Sequence, residues 1–86
     1  MADSVYDDCI VKPFRNMKQG DKFIDNSLQV ITVESVTPRL CSAWGKARKR
    51  YKRYVWDIVG HDQDGKLYVY SAYSWERPLF SKGDLQ

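Results

Sequence analysis

The residues best placed to do chemistry lie in one short run, Lys46-Ala47-Arg48-Lys49-Arg50-Tyr51-Lys52-Arg53. It holds six of the chain's fourteen basic residues and none of its eleven acidic ones, so the remaining chain is mildly acidic, with eight basic residues against eleven acidic. The formal charge of +3 is therefore a local field on a body of opposite sign. Lys and Arg neutralise phosphates and release counterions, which gives affinity without sequence preference. Trp44, Tyr51 and Tyr54 flank or interrupt the charges, and aromatic rings beside cations stack on exposed bases, as Arg itself does. Lys46, Arg48, Lys49, Arg50, Lys52 and Arg53 are thus candidates to grip a nucleic-acid backbone, DNA or RNA, while Tyr51 or Trp44 stacks. Two plainer readings stand beside it: a solvated loop that aids solubility, and a docking patch for an acidic protein surface.

Other combinations carry less. His61, Asp62, Asp64 and Gly65 suggest a cation loop, but Lys66 and Tyr73 occupy positions where a calcium loop needs oxygen ligands. A tight turn accounts for them. Cys9 and Cys41 are far apart and, with no export signal evident, are expected to be reduced thiols. No cysteine or histidine spacing matches a zinc site, so no metal or other cofactor is expected. The single histidine has no nucleophile or carboxylate partner beyond its turn neighbours, and no phosphate-binding glycine motif occurs. A binding protein, not an enzyme, is the expectation.

The elements that position the basic run are strands. Tyr54–His61 and Lys66–Tyr73 are rich in β-branched and aromatic residues. The turn Asp62-Gln63-Asp64-Gly65 between them ends in a pair that tolerates positive φ. Pairing His61 with Lys66 sets Ile58 opposite Val69 and Asp57 opposite Tyr70. Strict alternation then assigns Tyr54, Trp56, Ile58, Leu67, Val69 and Tyr73 to the core. Val55, Asp57, Val59, Lys66, Tyr68 and Tyr70 form the second face. Tyr68 and Tyr70 on that face offer a stacking or partner-binding surface if open, and ordinary packing beneath the termini if covered.

Upstream, Leu28–Val36 is the longest β-branched run and reads as a central strand ended by Thr37-Pro38. Lys22-Phe23-Ile24 starts an earlier strand after the Gly20-Asp21 turn, and Cys9–Phe14 and Ser74–Phe80 are candidate short strands at the ends. Between Ser42 and Arg53 two local structures fit: a short helix from Ala43 to Tyr51, or a loop joining two strands. Eighty-six residues at 43% hydrophobic content make one small core. The organisation expected is an N-terminal arm over residues 1–8, one β-barrel domain over 9–80 and a tail over 81–86. No run of about 18 apolar residues occurs, which argues against a membrane helix, and the acidic N-terminus lacks an apolar core of the secretory type. A cytoplasmic location follows as the expectation. Five or six short strands with tight turns imply an all-β fold, a small antiparallel barrel of about five strands, with one short helix allowed.

Gly20-Asp21-Lys22-Phe23-Ile24, then Gln29–Val36, then Gly65–Ala72 resembles small SH3-like β-barrel proteins, many of them encoded by bacteriophages. The likeness covers residues 17–73. It implies an SH3-like barrel with a binding role and no catalytic residues, and it leaves the basic insert unexplained. It also implies a second kind of partner, a host protein such as RNA polymerase or a defence nuclease that the barrel would bind and modulate.

Overall fold

A computed structural model describes residues 6, 8–44 and 50–85. Four strands, β1 (Lys22–Ile24), β2 (Val30–Trp44), β3 (Arg50–His61) and β4 (Leu67–Ala72), follow one another in an antiparallel meander. A 3₁₀ turn precedes them at Phe14–Asn16 and a four-residue helix, α1 (Lys82–Leu85), follows. The chain is all-β, a curled half-barrel with four strands in place of the five expected.

The two terminal strands expected from sequence shrink to single bridges. Cys9 meets Lys22 in parallel and Phe80 meets Ile24 antiparallel. Each terminal segment carries a proline, Pro13 or Pro78, that cannot donate to a ladder. Together the two bridges cover the edge of β1 that β2 leaves open, which protects a strand edge at little length.

Curvature comes from a bulge. Val33 pairs with Gly60, yet Ser35 pairs with Val59, so Glu34 is the extra residue on β2. Such an insertion bends and twists the bulged strand. Close approach finishes the bend: a Cβ on Gly60 would lie 2.6 Å from Ile31 Cγ2 and 2.8 Å from the Thr32 carbonyl oxygen. On the concave face Phe23, Ile31, Val33, Ile58 and Ala72 are buried together with Met17, and Ile10, Phe14, Val36, Trp56, Tyr68 and Tyr70 pack around them.

The register between β3 and β4 differs by one residue from the expected one. His61 pairs with Leu67, Ile58 with Tyr70 and Trp56 with Ala72. The cause is the turn. The Asp62 amide donates to the Lys66 carbonyl (3.0 Å), the Gly65 amide donates to the Asp62 carbonyl (3.1 Å), and Gly65 takes φ +87°. The glycine is an odd residue in the loop, a type I turn closed by a glycine bulge. One residue of slip exchanges the two faces of a strand. Tyr68, Tyr70 and Ala72 therefore turn inward, whereas Leu67 and Val69, assigned to the core from sequence, are 60% and 68% exposed. Tyr54 and Tyr73, also assigned to the core, are exposed as well, while Ile58 is buried as expected and Trp56 half-buried. Val55, assigned to the opposite face, is buried.

Candidate nucleic-acid interface

Pro38 does not end β2. The strand runs on to Trp44, paired with β3 throughout, from Pro38 opposite Trp56 to Trp44 opposite Arg50. Along this length β1 no longer accompanies β2, and an edge strand tolerates a residue without an N–H. Neither the helix over 43–51 nor a loop spanning all of Ser42–Arg53 forms, because Ala43, Trp44, Arg50 and Tyr51 belong to the ladder. Beyond the Trp56–Ala72 pair, β4 stops as well. Residues 39–44 and 50–55 thus make a two-stranded ribbon, roughly 20 Å long at about 3.3 Å per residue. The molecule measures 56 × 24 × 19 Å with a radius of gyration of 14.9 Å. A compact chain of this length would have a radius of about 12 Å, so the fold is markedly elongated.

The described part of the basic run, Arg50 to Arg53, lies on β3 within this ribbon. Arg50 and Tyr51 are on β3 opposite Trp44 and Ala43, and Lys52 is exposed opposite Ser42. Lys46, Arg48 and Lys49 belong to the connection between the strands and lie outside the described residues. At the ribbon's root Arg39 grips Asp57 with two donors, Nε at 2.8 Å and a terminal nitrogen at 3.2 Å, and Ser71 donates to the same carboxylate at 3.0 Å. The Arg39 hydrogen bond, then that of Ser71, holds the Asp57 carboxyl below its usual range. This clamp ties β2, β3 and β4 together where the ribbon leaves the sheet.

Arg53 sits at the same root, among rings. Its guanidinium carbon is 4.9 Å from the Tyr73 ring centre and 5.7 Å from that of Trp75, within the range of cation–π attraction. Tyr73 and Trp75 stack at 4.9 Å, only 14° from parallel. Tyr54 and Trp56 lie 6.0 Å apart on β3. Arg53, Tyr54, Trp56, Ser74 and Trp75 line a cleft of about 340 Å³. From sequence Trp75 is expected in a terminal strand and Tyr54 and Tyr73 in the core, whereas all three are exposed. The legible signal was Tyr73-Ser74-Trp75, two large aromatics spaced by one serine just ahead of a proline-marked segment.

Tyr68 and Tyr70 form a separate group on the inner face. The Tyr68 hydroxyl donates to Asp62 at 3.2 Å and that of Tyr70 to Asp25 at 3.1 Å. Burial, followed by the neighbouring Asp25 carboxylate, pushes the Tyr70 phenol well above its usual range. Both rings contribute to a groove of about 730 Å³ that also takes in Phe23, Asp25, Trp75 and Glu76. Near the β3–β4 turn, His61 Nδ1 lies 3.6 Å from Glu34, the bulged residue of β2; the bulge supplies a carboxylate neighbour absent from the local sequence. Cys9 and Cys41 are free thiols. Among the described residues no cluster of His, Cys, Asp or Glu is arranged to hold a metal ion, and no helix is long and apolar enough to cross a membrane.

No protein-family model matches the chain, and no curated protein or solved structure does either.

Proposed function

We propose that the protein binds nucleic acid, with the β2–β3 ribbon as the binding element and residues 46–53 as its phosphate-gripping end. The observation that carries this reading is the coincidence of shape and charge. The acid-free basic run of the sequence leads into β3 of a two-stranded ribbon that leaves the sheet alone, with Arg50 to Arg53 in its ladder. A narrow ribbon carries its cations away from the acidic body of the chain, where they can meet phosphates that a flat sheet face would miss. The bidentate Arg39–Asp57 clamp keeps the root stiff. Such binding is dominated by phosphate contacts, so affinity falls steeply with salt.

The test is fluorescence anisotropy with labelled oligonucleotides across a salt series, using the parent and a variant with Arg48→Glu, Lys49→Glu and Arg50→Glu. The variant is expected to lose at least about tenfold in affinity, with a salt slope shallower by about one per phosphate contact removed. Equal affinity and equal slope would reject the ribbon. Capture of an acidic protein that withstands nuclease, with no oligonucleotide bound, would support the docking reading instead.

A further inference from the structure

We infer that the cleft between Trp75 and the Tyr54–Trp56 pair is a stacking subsite for one unpaired base, and that the protein therefore prefers single-stranded nucleic acid to duplex. The inference rests on the ribbon reading above and specifies which form of nucleic acid the ribbon serves.

Exposure is the first ground. Trp75 is 64% exposed and Tyr54 56% exposed, so a good part of each side chain is open to solvent beside the cleft that both line. A contiguous open aromatic patch on a small protein marks a site of interaction. The second ground is rigidity. Trp75 sits in a turn in which the Glu76 amide donates to the Tyr73 carbonyl at 3.1 Å and the Tyr73 amide to the Glu76 carboxylate at 3.3 Å. The Glu76 carbonyl accepts from Phe14 N–H at 3.0 Å, and Pro78 beyond it is buried. Tyr73 stacks against the indole. A ring held in place before binding loses little entropy when a ligand arrives.

Chemistry selects the occupant. The cleft's volume of about 340 Å³ lies at the small end of the range for ligand sites, about 300–1,000 Å³, suited to a planar ring system. Three of its five lining residues are aromatic, with Ser74 and the charged Arg53 the others, and it opens beside the two-stranded ribbon. Flat rings beside a guanidinium on a path of positive charge match a base and its phosphate better than an aliphatic or acidic peptide. A duplex keeps its base faces stacked internally and cannot present one to Trp75; a single strand presents every face. Stacking is tolerant of base identity, so the preference is for strandedness and not for sequence.

The experiment measures the affinity of the parent, Trp75→Ala and Tyr54→Ala for a labelled oligothymidylate, for a duplex of equal length and for heparin, which carries negative charge without bases. Thermal melts establish that both variants fold. The parent is expected to bind the single strand more tightly than the duplex and to show quenched tryptophan fluorescence with it but not with heparin. Trp75→Ala should lose about tenfold for the single strand, with duplex and heparin changed less than twofold, and Tyr54→Ala should follow with a smaller loss. If both variants keep parental single-strand affinity while salt-dependent binding persists, the cleft is refuted and the ribbon stands. If the parent binds none of the three, both fall.

Discussion

Two groups of aromatic residues, built from neighbouring stretches of the same chain, are finished in opposite ways. On the concave face Phe14, Phe23 and Tyr70 meet edge to face, Phe14 with Phe23 at 5.1 Å and Phe23 with Tyr70 at 5.4 Å, and Tyr68 stacks loosely on Tyr70 at 6.3 Å. Each phenol there is spoken for by a carboxylate. Beyond the end of β4, Tyr54, Tyr73 and Trp75 are exposed, and their companion is a cation, Arg53. Edge-to-face contacts place a ring against its neighbours on several sides, as a core requires. The parallel Tyr73–Trp75 stack, with Arg53 alongside, leaves both residues partly open to solvent. Packing and two carboxylate bonds hold the first group, which also lines the groove. The second is where we place the stacking subsite.

The largest expected contrast is in stability. Phe23 is 1% exposed and stands at the centre of the inner group, so Phe23→Ala should cost about 3–5 kcal/mol. Trp75→Ala should change stability by less than about 1 kcal/mol, since surface substitutions seldom do more. Urea unfolding of both variants checks the pair. A loss for Trp75→Ala comparable with that for Phe23→Ala would make the outer rings part of the core and remove the grounds for a stacking cleft.

A finer contrast lies in the hydroxyls. Tyr70→Phe deletes the donor to Asp25 Oδ2 beneath the groove and should cost about 1 kcal/mol. The Asp25 carboxylate keeps its amide bonds from Ser27 and Gln29, both 2.9 Å, which limits the loss. Tyr54→Phe, on the exposed ring, should be neutral in the same melts. Equal effects would mean that the inner hydroxyls contribute nothing beyond their rings.

How far this contrast was legible in the sequence depends on what sets each part. Strand identity was local: the β-branched density of Val30–Val36 and the alternation of β3 and β4 place those strands within a few residues. Register was not local. It hangs on whether Gly65 counts as a turn residue or as a bulge, and that single residue exchanged Tyr68 and Tyr70 for Leu67 and Val69 on the inner face. The extent of the ribbon was hidden for another reason. Pro38 reads as a strand terminator unless the strand is known to have only one neighbour at that point, which is a property of the sheet. The basic run stood out at once because charge density needs no fold to be seen. The cleft did not, since Trp75 follows β4 by three residues and reaches Arg53 only because β4 ends short of β3.

The smallest expected effect concerns acid. Asp62 is buried at the β3–β4 turn, where its Oδ1 accepts the Asp64 and Lys66 amides, each at 2.9 Å, and its Oδ2 the Tyr68 hydroxyl. Burial alone would raise its pKa, but the two amides and the phenol outweigh that, and the carboxyl ionises below its ordinary 3.8. A group whose folded pKa is depressed stabilises the fold above the unfolded value and loses that contribution as pH falls through the folded one. Asp62→Asn keeps an oxygen for the amides but has no charge to titrate. Its melting temperature should lie slightly below the parent's at neutral pH, and the gap should narrow as the pH drops below 3.8. A gap that stays constant across that range would mean that the ionised form has no advantage in the turn. The tie between Tyr68 and Asp62, one of the two that set the inner group apart from the outer rings, would then be incidental.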